Sequence, residues 1–253
     1  MKSCNAKTIL GAVLVCTMLI ASRLALAGPP FVTDDPEPVE YLHNEFYISS
    51  QQVKTQSGTS GTLPHLEYNY GAVPDLQLHI IVPYAFNSPV NGQRESGLGD
   101  VELGAKYRFI QETGSRPMVG IFPLIETHTG DANKGLGNGA TQVFLPLWLQ
   151  KRWGAWQSYG GGGYWINNAP SARNHWFFGW QLQKDISEQL TLGGEVFHST
   201  EQAPGVGSSS GFNLGGIFNF DEHNHLLFSA GRGLTNIDMT NQFSSYVGYQ
   251  LTW

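Results

Sequence analysis

The chain ends Phe243-Ser-Ser-Tyr-Val-Gly-Tyr-Gln-Leu-Thr-Trp253, and the reading of this stretch decides the fold. Val247, Tyr249, Leu251 and Trp253 alternate with Tyr246, Gly248, Gln250 and Thr252. A period of two describes a strand with one apolar face and one mostly polar face. A packed soluble core gives no reason to finish on an aromatic residue. In a membrane barrel the last strand pairs with the first, and a terminal ring sits at the membrane–water interface. The competing reading is a sandwich strand that happens to end in Trp.

The other end of the chain weighs against the sandwich. Met1–Ala27 reads as a secretory signal: Lys2 and Lys7 supply a positive start, Ile9–Ala21 a short apolar run, and Ala25-Leu26-Ala27 a small-residue cleavage site before Gly28. The apolar run is too short to cross a bilayer as a helix. Both cysteines, Cys4 and Cys16, lie in this segment, so no disulfide framework or thiol chemistry is expected beyond it. Losing Lys2, Lys7 and Arg23 takes the formal charge from −6 to −9. That balance excludes a nucleic-acid partner. The expected location is the bacterial outer membrane, with outer-membrane lipid as a partner.

Residues 28–43 carry Pro29, Pro30, Pro36 and Pro38, with Asp34, Asp35, Glu37 and Glu40 among them. Proline at this density excludes helix and central strand. We read an acidic periplasmic leader that either tucks into the barrel mouth or stays disordered.

Residues 44–253 then read as an all-β domain, a transmembrane antiparallel up-and-down barrel of about twelve strands. The candidates are Asn44–Val53, Leu63–Gly71, Leu76–Phe86, Gly99–Ile110, Pro117–His128 and Ala140–Gln150, then Ala155–Ile166, Arg173–Lys184, Leu190–Thr200, Gly211–Phe220, His225–Gly233 and Phe243–Trp253. The count is even and the lengths suit tilted spanning strands. Connections alternate. Ala72–Asp75, Gln111–Arg116, Lys151–Gly154, Asp185–Gln189 and Asp221–Asn224 are short and polar. Lys54–Thr62, Asn87–Leu98, Thr129–Gly139, Asn167–Ala172, Glu201–Ser210 and Leu234–Gln242 are mostly longer and rich in Gly, Ser, Asn and Pro. Short turns on one rim and long loops on the other are the asymmetry of an outer-membrane barrel with both termini periplasmic.

One face is apolar in strand after strand, as in Leu78, Ile80, Val82 and Tyr84, or Trp176, Phe178, Trp180 and Leu182. On the other face Asp100, Glu102, Lys106 and Arg108 read as a lumenal charge network, since buried charges must be paired. Phe122, Leu124, Phe144, Trp148 and Phe177 also project inward by parity, with Glu126, Gln142 and His175 close by strand position. These eight form the candidate lumen path, either as the lining of a small-molecule route or as rings that fill a narrow lumen.

Motifs for catalysis are weak. Gly207-Ser208-Ser209-Ser210-Gly211 matches a hydrolase elbow by letters, but no helix follows it. His198 near a serine would be needed for a lipid hydrolase. Gly130-Asp131-Ala132-Asn133-Lys134-Gly135 lacks the later glutamate of a calcium loop, and His223 and His225 lie at a turn, where solvation is expected. We expect no metal, no cofactor and no enzymatic activity.

Gly28-Pro-Pro-Phe-Val-Thr-Asp-Asp-Pro36, Gly97-Leu-Gly-Asp-Val-Glu-Leu-Gly-Ala-Lys-Tyr-Arg-Phe109 and Gly135-Leu-Gly-Asn-Gly139 leading into Val143-Phe-Leu-Pro146 together resemble the MetA-pathway of phenol degradation family of outer-membrane proteins. The resemblance implies a transporter-like, porin-like barrel that helps aromatic or other small hydrophobic compounds cross the outer membrane. The ending resembles the C-terminal signature of outer-membrane barrels, whose last aromatic residue is read by the barrel assembly machinery. Tyr249, Leu251 and Trp253 carry that likeness. The expected function is a passive channel for small hydrophobic or aromatic solutes. The alternatives are an outer-membrane hydrolase acting on lipid and a structural or adhesive barrel.

Overall fold

The computed structural model describes residues 29–170 and 172–253. The signal segment Met1–Ala27 lies outside them. Fourteen strands follow in order: β1 (Asn44–Thr55), β2 (Gly58–Val73), β3 (Leu76–Pro89), β4 (Glu95–Leu98), β5 (Glu102–Ile110), β6 (Met118–Ile121), β7 (Leu124–Glu126), β8 (Gln142–Trp153), β9 (Trp156–Asn167), β10 (His175–Asp185), β11 (Leu190–Ser199), β12 (Ser209–Asn219), β13 (Asn224–Thr235) and β14 (Phe243–Thr252). One short helix, α1 (Ile237–Thr240), precedes the last strand.

These segments occupy twelve places in one closed antiparallel barrel. β4 and β5 both pair with β3, at opposite ends of it, and β6 and β7 share β8 in the same way. Each pair of segments is one interrupted spanning strand. The expected strand Pro117–His128 is broken at Phe122 and Pro123, because proline has no N–H for the ladder. The expected strand Gly99–Ile110 is broken at residues 99–101, where Asp100 turns its carboxylate to the loop that follows β7.

β14 closes the barrel on β1, from Glu45 opposite Thr252 to Lys54 opposite Phe243. The last residue completes the seam. Asn44 N donates to Trp253 O at 2.8 Å and Trp253 N donates to Asn44 O at 3.1 Å. Among the described residues closure gives each of the other strands a partner on both sides, the condition for crossing a bilayer with strands, and leaves only the four-residue β4, on the loop rim, paired on one side. The alternation read from the sequence is inverted relative to a soluble protein. In β10, Trp176, Phe178, Trp180 and Leu182 are exposed on the outer wall, while His175, Phe177, Gln181 and Gln183 are buried inside. β14 follows the same rule, with Val247 and Tyr249 outward and Tyr246, Gln250 and Thr252 inward. Tyr249 O–H donates to Asn224 of the neighbouring strand and Leu251 is half-buried, so the ending is held by cross-strand contacts as well as the ladder.

Two connections differ from expectation. Asn87–Leu98 shrinks to residues 90–94, because β3 runs to Pro89 and pairs with β4 from Asn87 opposite Glu95 to Tyr84 opposite Leu98. Lys54–Thr62 is not a long loop, because Thr55 pairs with Gly58 and the ladder runs on past the stretch of Gly, Ser and Thr. Gly58 and Gly61 are weak strand formers, but Thr59 and Thr62 favour strand, and pairing with β1 on one side and β3 on the other carries the ladder through. The long connections that remain on that rim are residues 127–141, 168–174, 200–208 and 236–242.

Candidate functional site in the barrel lumen

Residues 32–39 of the leader lie inside the barrel. Thr33 and Asp35 are fully buried; Thr33 Oγ1 and Asp35 Oδ2 have no hydrogen-bond partner, and the segment is held largely through its backbone. Val32 N and Thr33 N donate to the two carboxylate oxygens of Glu195, at 2.9 and 2.7 Å, and Asn213 donates to the same carboxylate. Val39 N donates to Gln77, Ser229 donates to Pro30 O, and Gln150 donates to Glu37. Proline suits this segment because it lies in no ladder and its missing N–H goes unmissed. The barrel makes room for it: a Cβ on Gly179 would stand 2.2 Å from Thr33 Oγ1. Burial holds the carboxyls of Asp35 and Glu37 above their ordinary range, and the Lys106 ammonium opposes this for Asp35.

The charge set is inside the barrel, but its members do not pair with one another. Lys106 Nζ lies 2.9 Å from Asp34 and 3.6 Å from Asp35, both in the leader. Arg108 binds Asp75 of the β2–β3 turn. Glu102 meets His79 at 3.0 Å, and Asp100 accepts from Gly130 N and Asn138 N. The reason is geometric. Same-face neighbours on one strand stand two residues apart, roughly 6.6 Å, so charged side chains reach adjacent strands and the leader instead.

The eight path residues divide into two groups. Phe122, Phe144, Trp148 and Phe177 form one buried cluster with Leu124, Trp165 and Phe197 against it. Phe144 stacks on Trp165 at 4.6 Å, and its contacts with Trp148 and Phe177 are edge-on at 6.4 and 6.3 Å. Phe122 belongs to this cluster although it sits in the strand break. Beside the rings, Gln142 donates to Glu126 at 3.0 Å and accepts from Asn167. His175 faces the backbone oxygen of Arg173 and stacks on Trp165. The cluster is a packed wall with one open valence: Trp148 is 1 % exposed and its Nε1 has no hydrogen-bond partner.

Above this wall, toward the long-loop rim, lies a cavity of about 630 Å3. Leader residues Pro29–Val32 and Asp34 border it, as do Phe122, Leu124, Glu102 and Glu126. Phe122 and Leu124 therefore belong both to the ring cluster and to the cavity.

Trp165, Glu195 and the lumenal partners of the leader carboxylates escaped the sequence reading. Trp165 follows the run Gly160–Gly163, which has no alternation from which to read a face. Those glycines matter because the rings pack close against them. A Cβ on Gly163 would stand 2.6 Å from the Phe144 ring. Glu195 could have been found by parity, as an inward acid on β11.

On the outer wall, His198 Nδ1 and Ser210 Oγ are 2.8 Å apart, from paired positions on β11 and β12. Ser209 and Ser210 begin a strand, so the elbow letters are not in an elbow. Asp131 caps a 3-10 turn at Ala132–Lys134, and His225 is buried against Asn219 rather than solvated.

Residues 53–248 match the family described as "Putative MetA-pathway of phenol degradation". No curated protein matches the chain. Among solved structures, the COG4313 outer membrane channel from Pseudomonas putida F1 superposes with a TM-score of 0.72 at 16 % identity, over 87 % of this chain and 98 % of that one. The KdgM porin, solved with a disordered oligogalacturonate, gives 0.57 at 10 % identity, over 84 % and 99 %. The NanC porin gives 0.57 at 6 % identity, over 82 % and 98 %. At these identities the likeness is one of fold.

Proposed function

Because the chain belongs to the putative MetA-pathway of phenol degradation family, we propose that it is a channel-type barrel of the bacterial outer membrane that passes small aromatic or hydrophobic compounds. The long-loop rim then faces outward and the leader enters from the periplasmic side. The observation that carries the reading is the Trp148 indole N–H, buried in a cluster of rings without an acceptor. A buried donor left unpaired costs about 1–3 kcal/mol, and a phenolic oxygen among those rings would satisfy it. Ring contacts are worth about 0.5–1.5 kcal/mol beyond area, weak enough for a solute to leave. Phe122 and Leu124 connect the outer cavity to the cluster. Liposome swelling with phenol against a sugar of similar size tests this. Faster entry of phenol supports it, and equal rates overturn it.

A second reading rests on the His198–Ser210 contact. A histidine base on a serine hydroxyl at the bilayer face is the core of a lipid hydrolase. No third group orients His198 among the described residues, so the channel reading stands first. Deacylation of phospholipid by the purified protein, lost in Ser210→Ala, would reverse that order.

A further inference from the structure

The outer cavity has a charge imbalance that the proposed passage of aromatic compounds does not use. Glu102 and Glu126 stand directly opposite one another on β5 and β7, both bordering the cavity. Like charges at opposed strand positions are destabilising. Among the described residues, no lysine or arginine lies within ion-pair distance of either. Glu102 Oε1 meets His79, and Glu126 Oε2 accepts from Asn138 and Gln142. The second oxygen of each carboxylate has no such partner, and both residues line the cavity.

The same cavity shows what chemistry it accommodates. Its single lysine, Lys106, is 2 % exposed, and its ammonium sits 2.9 Å from Asp34 and 4.9 Å from the centre of the Phe122 ring. An ammonium held between a carboxylate and an aromatic face is thus already built into the wall. Lys106 is committed to the leader and does not neutralise the Glu102–Glu126 pair.

We propose that Glu102 and Glu126 are a seat for a protonated amine carried on an aromatic or apolar body, and that they make the barrel cation-selective. The body of the solute rests on Phe122 and Leu124, and the amine takes the two unpartnered carboxylate oxygens. A carboxylate-bearing solute of the same shape meets two like charges and is turned away. Rings of acidic side chains select cations in channels by this physics. The inference names the solute class for the passage proposed above, and so rests on that reading for the aromatic body but not for the charge.

The test uses the full chain in planar bilayers and liposomes. Reversal potential in a KCl gradient reports ion preference, and swelling compares benzylamine, benzyl alcohol and benzoate. The wild-type protein is expected to favour potassium over chloride and benzylamine over benzoate by roughly fivefold or more, the factor that corresponds to about 1 kcal/mol. Glu102→Gln with Glu126→Gln is expected to abolish both preferences and leave benzyl alcohol unchanged. The single variant Glu126→Gln, with heat-modifiable migration as the folding check, serves if the double variant does not assemble. No preference in the wild-type protein, or an unchanged preference in a folded variant, overturns the proposal. If benzyl alcohol enters no faster than a sugar while potassium selectivity holds, the aromatic passage fails and the cation seat stands.

Discussion

Lys106 of β5 lies 2.9 Å from Asp34 of the leader, joining parts of the chain 72 residues apart. The ammonium is buried, and with the Glu195 carboxylate it anchors the segment inside the lumen. Breaking a buried pair by removing one partner costs about 3–5 kcal/mol, because the other charge is left uncompensated. Lys106→Met is therefore expected to release residues 32–39, seen as faster amide exchange there and a larger single-channel conductance. Gly179→Ala should do the same by steric pressure on Thr33. Unchanged exchange in both variants would show that the leader is held elsewhere.

Docking of the leader should depend on pH. Burial raises the Glu37 carboxyl, opposed by the Gln150 hydrogen bond and by the charges of Arg108, Arg152 and Lys106. A raised acid favours the docked state when protonated. That contribution is fully present below the ordinary carboxylate range and is lost as pH rises through the raised value. Asp35 is shifted in the same direction. Conductance should rise as pH climbs from acid toward neutral, and Glu37→Gln should flatten the rise. A profile identical in the two proteins would sink the prediction.

Trp148→Ala with Phe144→Ala removes the centre of the ring cluster. Each large-to-small change in a packed site costs about 3–5 kcal/mol, so a lower melting temperature is expected. The phenol-to-sugar uptake ratio should fall as well. Leu145→Ala with Leu147→Ala, on the exposed wall, should leave that ratio alone. Equal changes for both solutes would mean that the rings are packing only.

Deleting Trp253 removes both backbone hydrogen bonds to Asn44 at the seam and the ring that lies 6.5 Å from Tyr68. The fraction of protein showing heat-modifiable migration should drop. Full assembly of the shortened chain would count against the terminal residue as an assembly determinant.

The sequence by itself determined the barrel, its twelve places and the direction of most side chains. Period-two alternation settles two faces at once, because a slip of one residue would turn every ring in β10 or β14 to the wrong side. The inward position of Phe144, Trp148 and Phe177 was legible for that reason, and that of Trp165 was not, since glycines carry no face. Who partners whom was beyond the sequence. Asp100, Glu102, Lys106 and Arg108 looked like a set balanced within one strand, yet each found its partner on another element. Only closure of the barrel brought Asp34 to Lys106 and Val32 to Glu195. Alternation is a local property of the backbone. Charge pairing in a lumen is a contact between distant segments, and that is decided only when the twelve places close around the leader.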